Sequence, residues 1–206
     1  MFLHGFATTP AIWPQGGPEL HFDDLEREAE RLGKGLRPEA LGLRPLRLVG
    51  WSMGGMIALL VAAKFPEKVN ALVLVSTTPK FIAAADFPCG LPLALLRRLE
   101  KRIKAEGIKA FHSLVFPAGH QAGLADLPVE QALHELSALE KVDLRWILSS
   151  IKVPTLIIHG DQDEICPPGA AAYLQANIAG SELVMLPGVK HAPLVEAYDI
   201  LVKHAE

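Results

Sequence analysis

Along the chain, short continuous apolar runs alternate with longer stretches in which apolar positions recur every three or four residues. The first clear run, Leu46 to Val49, enters Gly50-Trp51-Ser52-Met53-Gly54-Gly55 and is followed by a helical stretch over 56–65 that Pro66 closes. Strand, sharp turn and helix is the simplest reading. A second run, Val69 to Val75, is too short for a core helix and rich in Val and Leu, so the two strands and their helix form a βαβ unit and imply a parallel sheet. The pattern returns at 154–159, a buried strand, after which Pro167-Pro168 opens a helix over 169–178; a strand over 181–186 and a helix over 193–203 follow. Between Phe81 and Trp146 no β-like run occurs, and 93–105, 108–115 and 129–139 have helical periodicity. A helical insertion placed as a lid over the C-terminal edge of the sheet accounts for this. The expected organisation is a first part of the core over 1–80, a lid over 81–146 and a second part of the core over 147–206.

Composition narrows the class. With 206 residues and 50% hydrophobic side chains, the chain can bury a core without disulfide or metal support. A net charge of −3, from 20 basic and 23 acidic residues, argues against a footprint for nucleic acid or an anionic membrane. Cys89 and Cys166 form neither a disulfide framework nor a ligand pattern, so a reducing compartment is expected. No signal-like segment opens the sequence, and no apolar stretch approaches the ~18 residues of a membrane span. The cytoplasm is the expected location.

Gly50-Trp51-Ser52-Met53-Gly54 matches G-x-S-x-G, the turn that exposes a serine hydroxyl between a strand and a helix. Such a hydroxyl is a weak nucleophile and needs a base oriented by a carboxylate, here expected in the chain order serine, acid, histidine. Asp161 and Asp163 follow the 154–159 strand, and His191 follows the 181–186 strand. All therefore fall at the C-terminal ends of parallel strands, where open α/β sheets place their sites. Asp161 can instead cap a turn and Asp163 a helix, and both aspartates remain candidates on position alone. Charge on the carbonyl oxygen of a tetrahedral intermediate requires preorganised donors, and the amides of Met53 and of Phe6, in His4-Gly5-Phe6 after a very short strand, are the candidates. The other histidines, 4, 21, 112, 120, 134, 159 and 204, form no metal-ligand pattern.

These residues resemble the α/β-hydrolases and, within them, the pimeloyl-acyl-carrier-protein methyl ester carboxylesterases of biotin synthesis. The resemblance is carried by His4-Gly5-Phe6 with Ile12-Trp13, the Gly50 to Gly55 turn, Ser76-Thr77-Thr78-Pro79-Lys80-Phe81, Val142-Asp143-Leu144-Arg145, His159-Gly160-Asp161-Gln162-Asp163 through Pro167, and Lys190-His191-Ala192-Pro193. It implies a mostly parallel sheet with helices on both faces under a helical lid. It further implies Ser52 as nucleophile, Asp163 as acid, His191 as base, Phe6 and Met53 as oxyanion donors, and substrate contacts from Phe111, His112, Ser113, Leu114 and Val115. The implied reaction is hydrolysis of a medium-chain acyl methyl ester on acyl-carrier protein, with no metal or organic cofactor; a monomer is expected. Acyl-carrier protein is acidic, and Arg97, Arg98, Lys101, Arg102, Lys104 and Lys109 supply a basic surface on the first lid helices, unless they form an ordinary solvated helix face.

The family pattern is curtailed on the N-terminal side. Where the family carries a further helix and central strand, only Pro14 to His21 remain after Trp13, and 48 positions separate His4 from Ser52. Shortened or missing N-terminal strands are therefore expected, which leaves the first strand in want of a neighbour and bears on the role of Phe6. An edge exposed in this way would offer a surface for edge pairing. A generalist esterase or lactonase with the same triad, and a hydrolase-fold binding protein with an impaired oxyanion hole, are the alternative functions.

Overall fold

The computed structural model describes residues 1–36 and 46–203; His204, one of the histidines considered above, lies outside them. Among the described residues the strands β1 (Phe2–Leu3), β2 (Leu46–Trp51), β3 (Val69–Val75), β4 (Thr155–Gly160) and β5 (Glu182–Leu186) form one sheet in that order, each pair parallel. The helices are α1 (Leu25–Gly35), α2 (Met53–Lys64), α3 (Leu93–Glu106), α4 (Lys109–Val115), α5 (Val129–Lys141), α6 (Gly169–Asn177) and α7 (Leu194–Lys203).

A sequential strand order with right-handed connections puts the crossover helices on one face. Contacts agree: α1 packs on α2, α2 touches the 3₁₀ turn Arg145–Ser150, and that turn touches α6. α2 is apolar on every side, because it lies between the strands and α1, and its residues from Met53 to Ala62 are all buried. Leu48 to Trp51 and Leu72 to Val75 are buried on both faces of the sheet, so the second face is covered too. Ile12, Trp13, Leu20 and Ala197 are buried as well, and Gln15 Nε2 donates to the Tyr198 hydroxyl at 2.6 Å.

The first strand does have a neighbour. β1 pairs directly with β2, Phe2 beside Val49 and Leu3 beside Gly50, and the Met1 carbonyl accepts from the Val49 amide at 2.9 Å. Its outer side is covered by the residues that follow: the Trp13 indole N–H donates to the Leu3 carbonyl at 3.3 Å, and Gly17 lies against the Phe2 carbonyl so closely that a Cβ would not fit. An unpaired edge is thereby closed with side chain and loop in place of a strand.

α1 is the element that the sequence reading did not anticipate. Its buried positions Leu25, Ala29 and Leu32 are spaced four and three apart, and Asp24 caps it by accepting from the Arg27 amide at 3.0 Å. α2 starts at Met53, three residues before the expected start, because the turn hands over to the helix directly after Ser52. The 81–146 insertion contains α3, α4 and α5 with only isolated bridges, and Gly107, at φ 74°, ends α3. Its two ends are tied together where it leaves and rejoins the sheet. The Leu144 amide donates to the Pro79 carbonyl at 2.7 Å, Lys80 Nζ donates to Asp143 at 2.9 Å, and Arg145 joins Asp143 to Asp86.

Candidate active site

Ser52 occupies the turn between β2 and α2 with φ 54° and ψ −122°, a backbone state that costs a side-chain-bearing residue about 1–3 kcal/mol. The surroundings enforce it. The Ser52 amide donates to the Val75 carbonyl at 3.0 Å, and its carbonyl accepts from the Thr77 hydroxyl at 2.7 Å and the Gly55 amide at 2.9 Å. A Cβ on Gly50 would stand 2.5 Å from the Gly54 carbonyl oxygen, and one on Gly54 would fall on the His4 and Leu3 carbonyls. The strand and helix approach this closely only with glycine at both positions, and the approach leaves Ser52 projecting and half-buried.

The ends of β4 and β5 bring the other two groups to it. His191 Nε2 lies 3.0 Å from Ser52 Oγ, and His191 Nδ1 lies 2.8 Å from Asp163 Oδ2. Asp163 Oδ1 accepts from the amides of Ile165 at 2.9 Å and Cys166 at 2.8 Å. Burial alone would raise the Asp163 carboxyl, but the adjacent His191 and hydrogen bonds from His159 and His191 hold it well below the usual carboxylate range. It stays ionised and fixes the imidazole with its Nδ1 hydrogen toward the acid and Nε2 toward the serine. Of the two aspartates, Asp163 is the one in contact with His191, while Asp161 accepts from the Gly188 amide at 2.7 Å in the loop leading to His191.

Phe6 is buried, and its ring meets that of Phe111 at 4.9 Å, so the side chain packs on the lid. Its amide follows Gly5, whose Cα is so near the nucleophile that a Cβ there would stand 3.1 Å from Ser52 Cβ. Met53 is the first residue of α2. Among the described residues neither amide is taken up by a turn or cap hydrogen bond.

A cavity of about 530 Å³ opens onto His191. Its walls are mainly apolar, with Leu91, Leu95 and Leu99 from the start of the lid and Ile165 from the acid's turn, while Arg98, Arg102, Lys190 and Glu164 stand at its margin. Of the five α4 residues expected at the substrate, Leu114 lines this cavity. Phe111 reaches Phe6 instead, and His112 Nε2 donates to the Ala7 carbonyl at 2.8 Å. His112 and Ser113 border a second hollow on the other side of α4, and Val115 is buried in the core. Among the basic residues of the lid, Arg97 is engaged by Glu100 and Glu140 and Arg102 by Glu106.

Three contributors were not apparent beforehand. α3 supplies the cavity wall through Leu95 and Leu99, four apart, the first exposed and the second buried. Trp51, read only as the x of the serine motif, donates its indole N–H to the His191 carbonyl at 2.8 Å. His159 is wholly buried; its Nε2 lies 2.7 Å from the Cys166 carbonyl and 3.3 Å from Asp163 Oδ2. The described residues hold no cluster of metal-ligating side chains, and none of their helices is long and apolar enough to cross a membrane.

Residues 3–99 match the alpha/beta hydrolase fold family. A pimeloyl-[acyl-carrier protein] methyl ester esterase from Neisseria meningitidis serogroup C is 32% identical over 90% of this chain and 79% of its own length. The enzyme of the same name from serogroup B is 35% identical over 90% of this chain and 78% of its own. An esterase from Exiguobacterium antarcticum superimposes with a TM-score of 0.79 at 22% identity, covering 99% of this chain and 88% of the esterase, a likeness of fold.

Proposed function

The chain belongs to the α/β-hydrolases, in the family of the pimeloyl-[acyl-carrier protein] methyl ester esterases, and on that premise we propose that it is a serine carboxylesterase that hydrolyses a medium-chain acyl methyl ester, pimeloyl on acyl-carrier protein. The observation that carries the reading is His191 held between Ser52 and Asp163 at 3.0 and 2.8 Å.

In the proposed reaction His191 Nε2 takes the Ser52 hydroxyl proton as Oγ attacks the ester carbonyl. The Phe6 and Met53 amides receive the negative charge that forms on the carbonyl oxygen, and each such donor is worth about 2.7–4 kcal/mol of transition-state stabilisation. Collapse of the tetrahedral species breaks the bond to the methoxy oxygen, which leaves as methanol with the proton from His191. Water, deprotonated by the same nitrogen, then attacks the acyl-serine; the carboxylic acid departs and Ser52 recovers its hydrogen. No step requires a metal or an organic cofactor.

Residues 81–146 act as the lid, and the acyl chain lies in the apolar cavity beneath α3. The margin residues Arg98, Arg102 and Lys190 favour an anionic carrier, and attraction of this kind acts chiefly on the rate of encounter. An Arg98→Glu variant should raise KM for the carrier-bound ester several-fold more than KM for p-nitrophenyl butyrate; equal effects on both substrates would remove the carrier from the reading.

Two assays test the proposal. Ser52→Ala should abolish hydrolysis of p-nitrophenyl butyrate, and activity retained by the pure variant would exclude the serine mechanism. Expression of the intact gene should restore growth of a biotin-requiring strain that lacks its own esterase. Failure to do so by a hydrolytically active protein would leave a generalist esterase.

A further inference from the structure

His159 is the last residue but one of β4, four residues before the acid, with no exposed side-chain surface, in a site where a buried imidazole must justify its desolvation. Its Nε2 faces two oxygens, the Cys166 carbonyl at 2.7 Å and Asp163 Oδ2 at 3.3 Å, so this nitrogen carries the hydrogen. Nδ1 has no partner among the described residues. A side chain needed only to fill space here would carry no such uncompensated nitrogen; leucine would fill the same volume without that cost.

The contacts of the Asp163 carboxylate show what the ring adds. Oδ1 is held by the Ile165 and Cys166 amides, and Oδ2 is shared by His191 Nδ1 and His159 Nε2. The 2.7 Å bond from His159 also ties the end of β4 to the carbonyl of Cys166, whose own amide is one of the two that hold Oδ1. One hydrogen thus restrains both the carboxylate and the turn presenting it. The other titratable groups packed against Asp163 are His191 and the buried Cys166 thiol, which burial and the nearby carboxylate push up.

We propose that His159 is a positioning residue of the catalytic triad, whose Nε2 hydrogen pins the Asp163 carboxylate and the 163–166 turn in the orientation that aims His191 at Ser52. It touches no reacting atom. A group of this kind acts on the geometry and charge of the acid, as outer partners of other catalytic ligands do.

The inference rests on the serine-esterase reading, and the experiment separates the two. In the full-length protein, His159→Leu removes the hydrogen, while His159→Gln places an amide N–H at about the reach of Nε2. Hydrolysis of p-nitrophenyl butyrate is followed against pH for the parent and both variants, with Ser52→Ala as control and circular dichroism to confirm folding. His159→Leu should lose about tenfold or more in kcat/KM, in the range found when outer partners of catalytic ligands are removed. Its acid limb should move to higher pH, because Oδ2, with one donor fewer, directs more of its charge at the imidazolium. His159→Gln should return kcat/KM to within about threefold of the parent and restore the limb. A folded His159→Leu with the parent profile, or a His159→Gln as impaired as the leucine variant, would overturn the proposal. If His159→Leu does not fold, His159→Asn, whose amide stops short of Asp163, takes its place with the same expected and contrary results. Activity surviving in Ser52→Ala would instead refute the serine mechanism itself.

Discussion

Ser52 holds a positive φ of 54° because glycines on either side let β1, β2 and α2 close around it. The strain aims the hydroxyl at His191, and the same closeness brings Gly5, the residue before Phe6, to the nucleophile. Asp163→Asn preserves shape but lets the amide favour the wrong imidazole tautomer, so kcat should fall by about four orders of magnitude, measured with p-nitrophenyl butyrate. Trp51→Phe keeps the ring yet strands the buried His191 carbonyl, which should cost about 1–3 kcal/mol in urea unfolding and lower kcat without changing the reacting groups. The serine and the base are constrained in the sequence by a local turn motif and a chain order, which leave Asp161 and Asp163 both open; the resemblance points to Asp163. The parts played by Trp51 and His159 could not be read there. Trp51 meets a residue 140 positions away, and the bond of His159 depends on how the turn after β4 folds back.

Elements that bury continuous apolar runs were legible nearly residue by residue, as with β3 at Val69–Val75. α1 went unread because its apolar positions are sparse among charged ones and its cap, Asp24, follows a second aspartate, Asp23. Asp24→Ala should destabilise the protein by about 1 kcal/mol in urea unfolding with the esterase activity unchanged, since its side chain bonds within the first turn of α1 and to no triad residue. In the lid, Glu135 of α5 is buried, and burial, reinforced by Asp23, raises its carboxyl despite the hydrogen bond from Gln131. A folded pKa above the unfolded one means that ionisation on folding costs stability once pH rises past the unfolded value. Glu135→Gln should therefore raise Tm at neutral pH, and the gain should vanish below about pH 4, where both states bind the proton. The α4 expectations illustrate the limit of element-level reading. Helical periodicity located α4, but which of its sides faces the cavity depends on α3, which takes the wall and leaves only Leu114 to α4.

At the scale of the molecule, the first described strand sits directly beside the strand that carries the nucleophile turn. β1 pairs straight onto β2, and Trp13 and Gly17 close the edge, so His4-Gly5-Phe6 emerges next to Ser52. The lid is anchored by charge: Arg145 and Lys80 hold Asp143 well below the usual carboxylate range, against the upward pull of its partial burial. A depressed carboxyl stabilises the fold above the unfolded pKa near 3.9 and loses that contribution as pH falls toward its folded value. The parent should accordingly lose Tm steeply below about pH 4, and Asp143→Asn should show a lower Tm at neutral pH but a shallower acid decline. The proposal turns on one assembled, reactive serine at the C-terminal edge of this sheet. Treatment of the folded protein with a fluorophosphonate probe, followed by mass spectrometry of the modified peptide, tests elbow, base and access together. The account predicts stoichiometric labelling of Ser52, absent in Ser52→Ala and strongly reduced in His191→Ala; a folded protein whose Ser52 stays unlabelled would contradict it.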